Sequence, residues 1–268
     1  MREWAGLGYY ARARNLHACA LQVSTELRGE FPDTYEQLLA LPGIGDYTAN
    51  AILAAAFNKP ASVVDGNVER VITRLFRVSD KLPKSKAGIK KHAAKIADPV
   101  RSNDYAQAIM DLGATLCTPT SPDCSNCPWR WACRGYAKGD MMRYPLKEKK
   151  KPKPVRQGIA WLVSQGDHLW LRQRPDKGLL GGMMEVPSTP WIEIGSGEAS
   201  DATPPFQADW TDIGEIKHVF THFELRLKVH TAEASPTWEP ENGLWADKAD
   251  LQAHALPSVM KKVVKAGG

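Results

Sequence analysis

LPGIGDYTANAILAAAFNKPASVVDGNVERVITRLF, residues 41–76, carries two pieces of chemistry in one run. The first is the glycine-rich turn Pro42-Gly43-Ile44-Gly45, followed by Asp46. Residues 35–40 ahead of it have helical spacing, and Pro42 and Gly43 end that helix. Gly43 and Gly45 admit positive φ and bare their amides. A second helix, predicted from Asp46 to about Phe57, aims its first N–H groups and the positive end of its dipole at the same place. An anion such as a DNA phosphate suits that position. Taken alone, the glycines favour a plainer reading, an ordinary helix-to-helix turn closed by a glycine.

Asp65 reverses that preference. In Val64-Asp65-Gly66-Asn67 it follows an apolar segment, residues 61–64, and precedes the helical spacing Val68-x-x-Val71-Ile72-x-x-Leu75. Asp, Gly and Asn are turn formers, but this placement predicts Asp65 as the N-cap of a mostly buried helix. Helix amides hold a carboxylate there in its ionised form. A fixed negative charge can stabilise an oxocarbenium-like sugar while a glycosidic bond breaks.

The composition agrees with a folded, nucleic-acid-compatible protein. A length of 268 residues suggests two domains, and 43% hydrophobic residues suffice for cores. A net charge of +5 permits a polyanionic partner without demanding one. No stretch is long and apolar enough to span a membrane, and Met1-Arg2-Glu3-Trp4-Ala5-Gly6 lacks a signal-peptide core. A soluble, cytoplasmic, monomeric protein is expected, with no membrane partner.

Four of the five cysteines cluster as C-x6-C-x2-C-x5-C, at Cys117, Cys124, Cys127 and Cys133, with Pro128 after the third. Clustered cysteines in a cytoplasmic chain read as metal ligands. On spacing alone, zinc and an iron–sulfur cluster are nearly even, because four thiolates serve both. Cys19 reads as a small buried apolar residue.

The chain changes character after the cysteines. Residues 143–156 hold seven basic residues and one acidic, with three prolines. Lys and Pro together predict an extended, solvated basic linker. Before it the pattern is all-α. Beyond it, residues 158–163 and 167–174 are strand-like, and so is the segment around His218-Val219-Phe220-Thr221-His222-Phe223.

Together these motifs resemble the helix-hairpin-helix DNA glycosylase superfamily, and within it the adenine DNA glycosylase (MutY) family. The cysteine spacing is similar to the 4Fe–4S signature of the endonuclease III and adenine glycosylase branch, which resolves the metal in favour of that cluster. The second half looks like a Nudix fold. It has no R-E-x-x-E-E cluster after Glu185, which a Nudix hydrolase needs to hold metal, so it resembles a binding module. The fold class expected is an all-α glycosylase core with a 4Fe–4S loop, plus an α/β Nudix-like domain. The expected boundaries are 1–140 for the core, with the cluster loop at 117–133, then 141–156 for the linker and 157–268 for the lesion-recognition domain.

The resemblance implies hydrolysis of the N-glycosidic bond of adenine mispaired with 8-oxoguanine or guanine in double-stranded DNA, with the base flipped out. Asp65 matches the aspartate that stabilises the sugar cation, and Asn67 the asparagine that orders the catalytic carboxylates. Tyr47 stands where the endonuclease III branch has a lysine. A tyrosine forms no Schiff base, which implies a monofunctional enzyme. Tyr9 matches the aromatic wedge beside the oxidised guanine, with Tyr10 the better candidate for packing. Phe220, Thr221 and His222 match the F-S-H loop that reads 8-oxoguanine, with threonine for serine. Pro42, Gly43, Ile44, Gly45 and Arg70 are the expected DNA-backbone contacts. The loop at 118–123 has no basic residue, leaving Arg130 or Arg134 as substitutes. A motif like E-V-M-L-Q-Q-T, which supplies the family's general acid, is absent, and the surroundings of Glu3 do not match it. A truncated family member is therefore expected. The competing readings are a damage-binding remnant without catalysis, a Nudix-type hydrolase and an endonuclease III-like lyase.

Overall fold

The computed structural model describes residues 2–4, 6–149, 151–195 and 203–268. The chain divides into two compact units, Leu16–Lys150, and Met1–Asn15 together with Lys151–Gly268. Among the described residues no helix is long and apolar enough to cross a membrane.

The first unit is helical. After α1 (Tyr10–Thr25), it contains α2 (Tyr35–Leu39), α3 (Asp46–Phe57), α4 (Gly66–Phe76), α5 (Lys86–Ile96), α6 (Ser102–Asp111) and the short α7 (Arg134–Ala137). In α4 the apolar spacing read from the sequence becomes one buried stripe, with Val68, Val71, Ile72 and Leu75 all inside. That stripe meets Ile89 and Ala93 of α5 and Ile109 of α6. A neighbouring core joins Leu38 and Leu41 to Ala49 and Leu53 across the glycine turn, with Cys19 and Val23. Cys19 is thus the small apolar residue its surroundings suggested. After α6 the helix widens into a π-turn, Leu112–Leu116, that leads into the cysteine loop.

The second unit is a mixed seven-stranded sheet. Its strands are β1 (Val155–Gln165), β2 (His168–Gln173), β3 (Met184–Glu185), β4 (Ile192–Glu193), β5 (Thr211–Val219), β6 (Glu224–Glu233) and β7 (Leu244–Asp247), and α8 (Ser258–Ala266) packs on it. The main order is β3-β2-β1-β6-β5, with β4 on β1 and β7 on β2. β1 and β6 run parallel and the other pairs antiparallel. β1 buries a continuous run of four residues, Ala160 to Val163, as a central strand covered on both faces does. In β6 the alternate residues Leu225, Leu227 and Val229 point inward.

Two expected boundaries move. The first fifteen residues group with the sheet unit, because Tyr10 is buried in its core, Trp4 packs against that core, and Arg14 Nη1 donates to Gly181 O at 2.7 Å. The basic segment is not an extended tether along its whole length. Met141–Arg143 forms a 3-10 turn, Tyr144 is buried, and Leu82 N donates to Leu146 O at 2.8 Å. Its first residues are held by an apolar anchor and backbone pairing that their Lys and Pro content hides.

Candidate active site and cluster loop

Asp65 caps α4. Its Oδ1 accepts from Val68 N at 2.7 Å and its Oδ2 from Asn67 Nδ2 at 3.1 Å. The carboxylate is half-buried and bound on both oxygens by donors, so the helix start fixes its position. Asn67 in turn accepts from Arg70 Nη2 at 2.8 Å. Arg70 continues inward, where Nη2 donates to Gly113 O at 2.6 Å and Nε to Cys117 O at 2.7 Å. Arg70 was expected to touch a DNA phosphate. Instead its Nε and Nη2 turn inward to the protein's own oxygens, which tie the Asp65 cap to the π-turn and the first cysteine.

Gly113 lets the π-turn lie close against Asn67. A Cβ on Gly113 would lie 2.7 Å from Asn67 Cβ and 3.0 Å from its carbonyl carbon and oxygen. Only glycine lets the π-turn approach Asn67 this closely. Gly113→Ala is expected to push Asn67 away from Asp65, to cost about 1–3 kcal/mol of stability, and to lower activity more than that loss explains. Thermal melting alongside a rate assay checks both parts.

The hairpin forms as its residues dictate. Gly43 has φ +76° between α2 and α3, and Gly45 is the extended N-cap of α3. Gly43 and Gly45 are exposed, with Pro42 and Ile44 half-buried. Asp46, in the first turn of α3, accepts from Tyr35 Oη and Lys90 Nζ, each at 2.7 Å, and the lysine and tyrosine hold its carboxyl below the usual range. Tyr47 is 43% exposed, with its hydroxyl 3.8 Å from Met110 Sδ, so its phenol is open to a ligand.

Cys117, Cys124, Cys127 and Cys133 line a single cavity with Arg74, Arg130 and Tyr136. Burial, and then the neighbouring thiols, push the Cys124 thiol up, and burial does the same to Cys133. Four thiolates need a compensating cation, which a metal centre supplies. Among the described residues no three Cys, His, Asp or Glu side chains converge as ligands of one metal ion. Arg74 was not singled out from the sequence. It is buried, and Nη1 donates to Thr118 O at 2.8 Å and lies 3.3 Å from Cys117 Sγ. Nη2 donates to Pro119 O at 3.1 Å and Nε to Tyr144 O at 3.3 Å. Tyr136 N donates to Cys133 Sγ at 3.5 Å. The loop is thus built around a cation facing sulfur. The only sequence sign of Arg74 was an arginine on the otherwise apolar side of α4.

In the sheet unit, Phe220, Thr221 and His222 occupy the turn between β5 and β6. Thr221 and His222 are exposed, whereas Phe220 stacks on Phe223 at 4.7 Å between ring centroids. All three line a groove of about 540 Å³ with Leu7, Gly8, Tyr9 and Leu179. Tyr9 is 83% exposed with φ +47°, an uncommon conformation for a non-glycine residue, while Tyr10 beside it is 8% exposed. Glu185 is buried and paired with Arg172 and Arg174. It is not the start of an acidic metal helix.

Comparison with known proteins agrees with both halves. A helix-hairpin-helix motif model matches residues 26–55, and a NUDIX domain model matches 158–266. The human adenine DNA glycosylase is 31% identical over 98% of this chain and 59% of its own length. The Arabidopsis thaliana adenine DNA glycosylase is 37% identical over 85% of this chain and 41% of its own. That of Schizosaccharomyces pombe is 29% identical over 94% of this chain and 67% of its own. The chain therefore spans less than two thirds of the human and Arabidopsis relatives. With a capped aspartate after a glycine hairpin, a four-cysteine loop and a Nudix-type sheet in one sequence, the chain belongs to the adenine DNA glycosylase family.

Proposed function

We propose that this chain supplies the sugar-stabilising and lesion-reading parts of a monofunctional adenine DNA glycosylase acting on adenine opposite 8-oxoguanine in duplex DNA. The observation that carries the reading is Asp65, held at the N-cap of α4 by Val68 N and Asn67, in a helical unit with tyrosine at position 47. As the bond from C1′ to adenine lengthens, positive charge builds on the sugar, and a preorganised carboxylate stabilises it. With no amine at position 47, water is the nucleophile, and the product is an abasic site on an intact strand. The exposed amides around Gly43 and Gly45 and the start of α3 grip a backbone phosphate. Arg130 or Arg134 takes the place of basic residues absent from 118–123.

Protonating the departing adenine requires an acid. The chain holds no glutamate in an E-V-M-L-Q-Q-T-like setting. General acid catalysis contributes about 10²–10⁴-fold, so these 268 residues alone are expected to bind DNA and excise slowly. Rapid single-turnover excision by this chain alone would show that another acid serves.

The four cysteines hold a 4Fe–4S cluster in a mainly structural role, with Arg74 offsetting part of its negative charge. Iron and sulfide analysis of anaerobically purified protein is expected to give one cluster per chain. Stoichiometric zinc without iron would refute this.

Thr221 and His222 read the oxidised base from the β5–β6 turn, with Tyr9 as the wedge. Guanine and 8-oxoguanine differ at N7 and C8, where the Thr221 hydroxyl can donate or accept. A neutral hydrogen bond contributes about 0.5–1.5 kcal/mol, so Thr221→Val is expected to reduce the preference for 8-oxoguanine over guanine by up to roughly tenfold. Equal losses on both duplexes, or none on either, would remove Thr221 from base recognition.

A further inference from the structure

A second cleft in the sheet unit shares only Leu179 with the groove of Tyr9 and Thr221. Its volume is about 340 Å³, and it is lined by Arg156, Arg172, Arg174, Ser188 and Trp191 with Glu185 at its base. Arg172 Nε donates to Glu185 Oε1 at 2.7 Å, and Arg172 Nη2 to Ser188 O at 3.0 Å. Arg174 also pairs with Glu185, donates through Nε to Leu179 O at 3.1 Å, and lies over the Trp191 ring. One buried carboxylate is thus set against two guanidinium groups. Arg156 adds a third. Its guanidinium stacks on Phe223, 4.5 Å from the ring centroid, with no hydrogen bond or ion pair to another described residue. The Ser188 hydroxyl oxygen accepts from Trp191 Nε1 at 3.2 Å, which leaves its proton to donate.

Cation exceeds anion in this partly enclosed space, and the unspent donors are planar forks that match phosphate oxygens. The volume suits a phosphate with part of a nucleoside attached. We infer that this cleft is a metal-independent binding site for a phosphate ester, centred on Arg156 with Arg172, Arg174 and Ser188. Two sources offer that group: a free nucleotide and a nucleic-acid backbone. The site uses guanidinium groups where Nudix hydrolysis would use glutamate-bound metal. It does not depend on adenine excision, and its test reads binding alone.

The test titrates the full 268-residue chain with inorganic pyrophosphate and ADP by calorimetry, and with an undamaged duplex by fluorescence anisotropy, all with a chelator present. Arg156→Gln removes the unpaired guanidinium. Lys228→Gln removes one exposed charge from β6 outside the cleft. Melting curves confirm that both variants fold, and Arg156→Lys, which keeps the charge without the fork, is expected to fall between wild type and Arg156→Gln. A loss of about tenfold or more in Arg156→Gln with little change in Lys228→Gln supports the site. If it appears with pyrophosphate or ADP, the ligand is a free nucleotide; if only with the duplex, it is a backbone phosphate. Unchanged binding in Arg156→Gln in every arm, or an equal loss in Lys228→Gln, overturns the inference.

Discussion

Asp65→Asn is expected to reduce adenine excision by about 10²–10³-fold, measured in a fusion that places this chain behind the N-terminal segment of a curated relative. The substitution separates charge from structure. Asparagine is as good an N-cap as aspartate, so the acceptor for Val68 N, now at 2.7 Å, survives and α4 stays in place. What disappears is the negative charge facing the sugar cation. Melting should change little while the single-turnover rate collapses. A variant that melts normally and excises at the wild-type rate would remove Asp65 from the chemistry.

The second large effect is expected at Arg74. Its side chain is 2% exposed and donates to the carbonyls of Thr118, Pro119 and Tyr144 beside Cys117 Sγ. Arg74→Met keeps most of the bulk and leaves those acceptors without a partner. Each buried, unpaired polar group costs about 1–3 kcal/mol, so several together amount to much of a typical domain's stability, about 5–15 kcal/mol. The cluster would also lose the cation nearest its sulfurs. Loss of bound iron and of the cluster's visible absorbance, together with a much lower melting temperature, is the expected result. Full iron content at unchanged melting would assign Arg74 no part in holding the loop.

Where a single residue type carried the chemistry, the sequence was enough. The positions of Gly43 and Asp65 follow from local backbone rules, because a positive φ and an N-cap each favour particular residues, whereas Gly45, read as free to take a positive φ, is extended with open space around it. α3 begins at Asp46 and ends at Phe57 as its periodicity indicates. Phe220-Thr221-His222 read as part of a strand from its residues, and only the family resemblance made it a loop; it is the turn between β5 and β6. Contacts distant in sequence were not legible. Arg70 looks like a surface cation on α4, and only the folded chain brings the carbonyls of Gly113 and Cys117 to it. The role of Gly113 depends on how close Asn67 comes, which no local pattern encodes. The charged segment after Arg143 read as solvated because its lysines outnumber its one anchor, Tyr144, which is buried. Trp4 and Tyr10 lie far in sequence from the sheet residues they pack with, so their grouping with the second unit was hidden as well.

The most direct test of a monofunctional adenine glycosylase built on Asp65 and Tyr47 is a single-turnover assay of the same fusion on duplex DNA with adenine opposite 8-oxoguanine, read with and without alkali. Release of adenine with the strand cut only after alkali, and no covalent complex on borohydride treatment, is the expected result. Strand cutting without alkali, a borohydride-trapped complex at the level of a true lyase, or no adenine release would contradict it.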